Sequence, residues 1–157
     1  MKKIILLILL PLIYASCDNS KKITLTKLEG SPPYLNAKIS TASITLGDEN
    51  EYTFTFDVSD YELGAQTINN VESQLANSGK GQHIHFIVNN GPYSAHYINN
   101  FKKKLNNENN VILAFLSRSY HESVKNPNAF ILTQIGENKI DLNNEFLFYS
   151  RPKGKYK

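Results

Sequence analysis

The chain has almost no sulfur: one Cys and one Met occur in 157 residues. Met1 is the initiator and Cys17 lies at a processing boundary, so the body of the chain has neither. Internal disulfides, iron–sulfur clusters, covalently attached haem c and blue-type copper centres are thereby excluded, as is a cysteine nucleophile. An excess of one charge is also missing. The formal balance is +3, from 17 basic and 14 acidic residues; setting Lys2 and Lys3 aside as part of a leader leaves 15 against 14. A polyanion such as nucleic acid is therefore not an expected partner. No apolar run approaches the length of about twenty residues that a transmembrane helix requires. Gly-x-Ser-x-Gly, His-Glu-x-x-His and a P-loop are absent; Gly79-Lys80-Gly81 lacks the Ser/Thr and the upstream Gly of the last. The expectation is a binding protein rather than an enzyme.

What is present is ordinary globular composition, 41% hydrophobic, 20% charged and 11% aromatic, in a length suited to one domain. The N-terminus reads as a secretion signal over 1–16. Lys2 and Lys3 form a positive start, and Ile4–Ile13 is an apolar run interrupted only by Pro11. Tyr14-Ala15-Ser16-Cys17 resembles a bacterial lipobox, with Tyr14 in place of the usual Leu. The resemblance implies cleavage before Cys17 and acylation of that residue, giving membrane anchoring through several chains. Residues 17–22 would then be a polar tether, 23–149 the folded domain and 150–157 a polar tail. The expected location is the bacterial cell envelope.

The domain reads as all-β. Tyr52-Thr53-Phe54-Thr55-Phe56-Asp57-Val58 alternates apolar and polar, the pattern of a strand with one face in a core. Further strands are expected at Ile23–Leu28, Ala37–Leu46, Val111–Leu116, Phe130–Ile135 and Phe146–Tyr149. The continuous apolar run at 111–116 suggests a central strand covered on both faces. Turn signals separate these segments at Gly47-Asp48, Asn90-Gly91-Pro92, Asn126-Pro127-Asn128 and Gly136-Glu137-Asn138. About seven or eight short strands suit an immunoglobulin-like two-sheet sandwich, with a small closed barrel as the alternative. One short helix is expected from Asn69 or Asn70 to just before Gly79. A further helical turn is expected within 99–110, where Lys102-Lys103-Lys104 would be a solvated loop face.

Gly81-Gln82-His83-Ile84-His85-Phe86-Ile87-Val88 and Pro92-Tyr93-Ser94-Ala95-His96-Tyr97 flank an Asn-Gly hairpin signal. A two- or four-residue loop sets Val88 against Tyr93, Phe86 against Ala95 and His85 against His96. Ile84, Phe86, Val88, Tyr93, Ala95 and Tyr97 then share a core face, and His83, His85 and His96 share the other. Opposed Cβ atoms lie about 4.5–5.5 Å apart, so three imidazoles in that register can reach one metal ion. A three-residue loop would turn His96 to the opposite face. His121, or Glu122 beside it, supplies a fourth ligand if its loop folds over the hairpin. Ligation by imidazole suits Zn²⁺ or Cu²⁺. The plain alternative is a hydrogen-bonded pair of strand histidines with no metal. Arg118 has two readings: an ion pair with Glu122 or Asp57, or a bidentate anion receptor with Glu122 and Lys125 in a ligand-binding loop over 117–125.

Four strings, Tyr61-Glu62-Leu63-Gly64, Gly81-Gln82-His83-Ile84-His85, Pro92-Tyr93-Ser94-Ala95-His96-Tyr97 and Phe115-Leu116-Ser117-Arg118-Ser119-Tyr120-His121-Glu122-Ser123, resemble a group of largely uncharacterised secreted or lipid-anchored bacterial proteins. The resemblance spans roughly residues 50–135. It implies that some members continue beyond the Phe148–Gly154 stretch into a second β domain, of which this chain would be a short form. A local likeness to copper/zinc superoxide dismutases is confined to the His83-x-His85 pair on a strand. The zinc-loop series and the disulfide cysteines of those enzymes are missing. Three functions follow in order: an envelope metal-binding module, a metal-free module binding a protein, glycan or anionic ligand at 117–125, and a metal-dependent enzyme.

Overall fold

A computed structural model of the chain describes residues 23–25, 30–68 and 77–148. The leader, Cys17, the tether, residues 69–76 of the helix expected to run to just before Gly79, Tyr149 and the tail at 150–157 lie outside the described residues. Among the described residues seven strands form: β1 (Lys38–Leu46), β2 (Glu51–Ser59), β3 (His83–Val88), β4 (Ser94–His96), β5 (Asn100–Lys104), β6 (Asn110–Ser117) and β7 (Phe130–Ile135). They make two antiparallel sheets, β1-β2-β5 and β4-β3-β6-β7. The architecture is an all-β two-sheet sandwich. Among the described residues, no helix is long and apolar enough to cross a membrane.

Alternation builds the interface between the sheets. Phe54 and Phe56 of β2 point inward, as do Ile84 and Phe86 of β3 and Ile112, Ala114 and Leu116 of β6. Phe86 meets Phe54 edge-on across the sandwich, with ring centroids 4.8 Å apart. Phe101 of β5 completes this aromatic centre, 5.1 Å from Phe86. Aromatic pairs in such geometry add about 0.5–1.5 kcal/mol each beyond the area they bury.

Several sequence expectations change here. β1 carries a register shift between Thr41 and Ser43. That extra residue lets Ile39 and Ile44, an odd number apart, both face the core, as a bulge allows. The segment expected to contain a helical turn is instead β5. Phe101 pairs with Phe54 of β2, and Lys102 and Lys104 form exposed ion pairs with Glu51 and Glu49. No strand forms at 23–25 or at 145–148. Phe148 instead lies against the outer face of the four-stranded sheet. β6 is central, as expected, but its outer face is unevenly covered: Ser117 is buried, whereas Val111, Leu113 and Phe115 are only partly buried.

Candidate metal centre

β3 determines where the first two histidines go. Its inward residues are Ile84 and Phe86, so His83 and His85 fall on the outer face of the sheet. Both are nonetheless buried, at 0% and 1% exposure, because two loops close over that face. Buried polar nitrogens call for partners, and the two Nε2 atoms face each other. His83 Nδ1 lies 2.8 Å from the Gly81 carbonyl oxygen. A carbonyl only accepts, so Nδ1 carries the proton and His83 Nε2 offers a lone pair. His85 Nε2 lies 2.9 Å from that nitrogen. Gly81 makes this arrangement possible. Its φ is +85°, and a Cβ there would sit 2.2 Å from the Gly64 carbonyl oxygen. The close approach reflects a short ladder in which Gly64 N–H donates to Gln82 O and Gln82 N–H to Ala65 O.

The third histidine arrives from the segment after β6. Ser117 bridges to Ser123, Arg118 N–H donates to Glu122 O, and His121 N–H donates to Arg118 O. This tight loop holds His121 at φ +68°, a left-handed conformation that is costly for a residue with a Cβ and tends to cluster at functional sites. The imidazole is thereby turned onto the sheet. Its ring centroid is 4.9 Å from that of His83, and its Nδ1 lies 3.5 Å from His85 Nε2. The loop is pinned reciprocally: Thr67 N–H donates to Ser119 Oγ, and Ser119 N–H donates to Thr67 Oγ1. Ser78 N–H adds a bond to Ser119 O.

The ligand nitrogens of His83, His85 and His121 all lie within 4.8 Å of one another. A tetrahedral ion with metal–nitrogen bonds of about 2.0–2.1 Å separates its ligand nitrogens by about 3.3 Å. The separations of 2.9 and 3.5 Å fall on either side of that value, so shifts of a few tenths of an ångström suffice for these two pairs. Aromatic rings wall the cluster. Tyr93 stacks on His85 at 4.0 Å and 7°, Tyr97 approaches His83 at 5.0 Å, and Phe115 approaches His85 at 5.0 Å. The cluster is buried on the β3 side and partly open at His121.

No protein-family model, curated protein or solved structure matches the chain. The chemistry of the site is therefore read from its geometry. Among the described residues, His83, His85 and His121 form a three-imidazole donor set able to hold a metal ion. The Gly81 carbonyl on His83 Nδ1 is the kind of outer contact that fixes a metal-binding tautomer.

His96 does not join this cluster. The observed register sets His96 opposite Ile84, and Ala95 rather than His96 opposite His85. Extrapolated, it places Val88 opposite Pro92, an odd loop. The tight turn centres on Asn89 and Asn90, both at positive φ, closed by Gly91 N–H to Val88 O. His96 therefore faces the core and stacks on Phe101, with centroids 3.4 Å apart, while Ser94 Oγ lies 2.8 Å from its Nε2. Burial, and secondarily Lys103, push its pKa down to about 4. Tyr93 and Tyr97, expected in the core, instead flank the histidines.

The expected ligand loop also changes. Arg118 is 3% exposed, so it is not an anion receptor at the surface. Its guanidinium donates to the Ser123 and Pro32 carbonyls, lies over the Tyr34 ring and sits 3.8 Å from Glu122. Glu122, the alternative to His121 as ligand, is bonded by Ser31 Oγ and lies outside the cluster. Lys125 remains exposed. The four strings singled out in the sequence converge on the site: Glu62 and Gly64 bond to Gln82, beside His83, with Tyr93, Tyr97, Phe115 and His121 around it. Thr67 carried no sequence signal, because its role is a contact with Ser119, 52 residues away.

Proposed function

We propose that this protein is a lipid-anchored module of the bacterial cell envelope whose immunoglobulin-like sandwich binds one Zn²⁺ or Cu²⁺ ion through His83, His85 and His121, as a binding protein rather than an enzyme. One observation carries the metal reading: three imidazoles from two segments 36 residues apart present nitrogens within 4.8 Å. The tight 117–123 loop that turns His121 onto the sheet is pinned by Thr67 and Ser119, so the third imidazole is held in place by the fold. The strand order supports the immunoglobulin-like reading. Lettered in sequence, β1-β2-β5 corresponds to A-B-E and β4-β3-β6-β7 to C′-C-F-G, a division related to that of such domains. The envelope reading is supported by Lys2-Lys3, the Ile4–Ile13 run and a Cys found only at position 17.

The test is metal content by elemental analysis of the full chain as produced, followed by X-ray absorption at the metal edge. One ion per chain with three imidazole nitrogens at about 2.0–2.1 Å supports the proposal. A chain that takes up neither Zn²⁺ nor Cu²⁺ contradicts it.

A further inference from the structure

The outer face of the four-stranded sheet has a second feature, separate from the histidines. Ile87, Leu113 and Phe115 of β3 and β6, with Phe130 of β7, form the floor of a groove of about 550 Å³. Val124, Pro127 and Phe148 complete its apolar lining. The volume falls within the range of about 300–1000 Å³ common for small-ligand sites. Phe130 is 50% exposed, a large apolar side chain left uncovered by the described residues. The polar lining is confined to the loop after β6: Ser123, Lys125 and Asn126. Lys125 is exposed, and no acidic side chain is among the described residues that line the groove.

We infer that this groove binds a free long-chain carboxylate, its acyl chain over Leu113, Phe115 and Phe130 and its head at Lys125. The apolar floor accounts for the chain, since burying each methylene contributes about 0.8 kcal/mol. Lys125 is the one cation among the described lining residues, with no carboxylate among them, and it matches one negative headgroup. The loop that carries Lys125 is held by buried Arg118 through Ser123 O, so the head position is built into the fold. The inference does not depend on the metal reading, because no metal-binding histidine lines the groove.

The experiment uses the full chain in phosphatidylcholine vesicles with a diazirine-bearing palmitate, and with the matching neutral alcohol and a diazirine phosphatidylcholine. Adducts are mapped by peptide mass spectrometry. The inference expects palmitate adducts concentrated on the 111–116 and 130–135 peptides. Lys125→Glu, an exposed substitution compatible with folding, should lower that yield about fivefold to tenfold. Leu113→Trp, which fills the floor, should abolish it while far-UV circular dichroism stays unchanged. Equal labelling by the alcohol, preferential labelling by the phospholipid, adducts away from the groove, or a protein–protein cross-link through this face in place of a lipid adduct would each overturn it.

Discussion

His96 allows a sharp test of the observed hairpin register. Its imidazole is partly buried against Phe101 and Phe86, and burial lowers its pKa from 6.5 to about 4. The folded state therefore favours the neutral ring, and the unfolded chain binds the proton more readily. The linked stability is fully present above about pH 6.5, declines as pH falls, and is lost by about pH 4. The gap from 6.5 to about 4, at about 1.4 kcal/mol per unit, sets a ceiling of about 3.5 kcal/mol. Partial exposure of the ring reduces the expected figure to about 1–2 kcal/mol. His96→Gln removes the titrating group and keeps a partner for Ser94. The assay is urea unfolding of both proteins, with chelator present, at about pH 7.5 and pH 4.5. Tyrosine fluorescence serves as probe, since the chain has nine Tyr and no Trp. Carboxylates and the other histidines titrate in both proteins and cancel in the difference. The wild type should lose about 1–2 kcal/mol more than the variant between the two pH values. Identical pH dependence would refute the core placement of His96, and with it the register.

Arg118→Met should destabilise the fold by about 3–5 kcal/mol, read by denaturant midpoint, because it leaves the Ser123 and Pro32 carbonyls and Glu122 without their partner; near-neutral stability would return Arg118 to the surface. Gly81→Ala meets the Gly64 carbonyl at 2.2 Å from a left-handed backbone. It should cost about 2–4 kcal/mol of stability and lower metal affinity about tenfold or more, through the lost orientation of His83; a titration unchanged from wild type would contradict the role of the Gly81 carbonyl. Phe54→Ala empties the centre of the aromatic core and should cost about 3–5 kcal/mol by the same unfolding assay.

The parts of the fold that were legible in the sequence are those where a local pattern coincides with the structure. β2 alternates cleanly because one face meets the core and the other meets water. β6 was marked as central by its apolar run. β1 looked weakly patterned because a bulge shifts the phase of its alternation between Thr41 and Ser43. β5 was hidden because Phe101 is the sole inward aromatic in a Lys-rich strand, and its partner Phe54 is distant in sequence. The histidine site was legible in part. His83 and His85 share a face on any strand, and the loop carrying His121 does fold over them. Tyr93, Ala95 and Tyr97 have the periodicity of core residues, which points to the wrong register for β4. In the fold the two tyrosine rings wall the histidines instead, a role that apolar periodicity does not distinguish from packing. Arg118 looked like a ligand-binding charge because its buried carbonyl partners at Ser123 and Pro32 have no sequence signature.

The most direct measurement of the central claim is a Zn²⁺ and Cu²⁺ titration of the full chain beside three variants, His85→Ala, His121→Ala and His96→Gln, near neutral pH. The account predicts one site per wild-type chain with a Kd below about micromolar. His85→Ala and His121→Ala should each weaken binding about a hundredfold or more, beyond what loss of an outer contact causes, while His96→Gln leaves it unchanged. Binding that survives His121→Ala, or that disappears with His96→Gln, would contradict the claim that His83, His85 and His121 form the metal site.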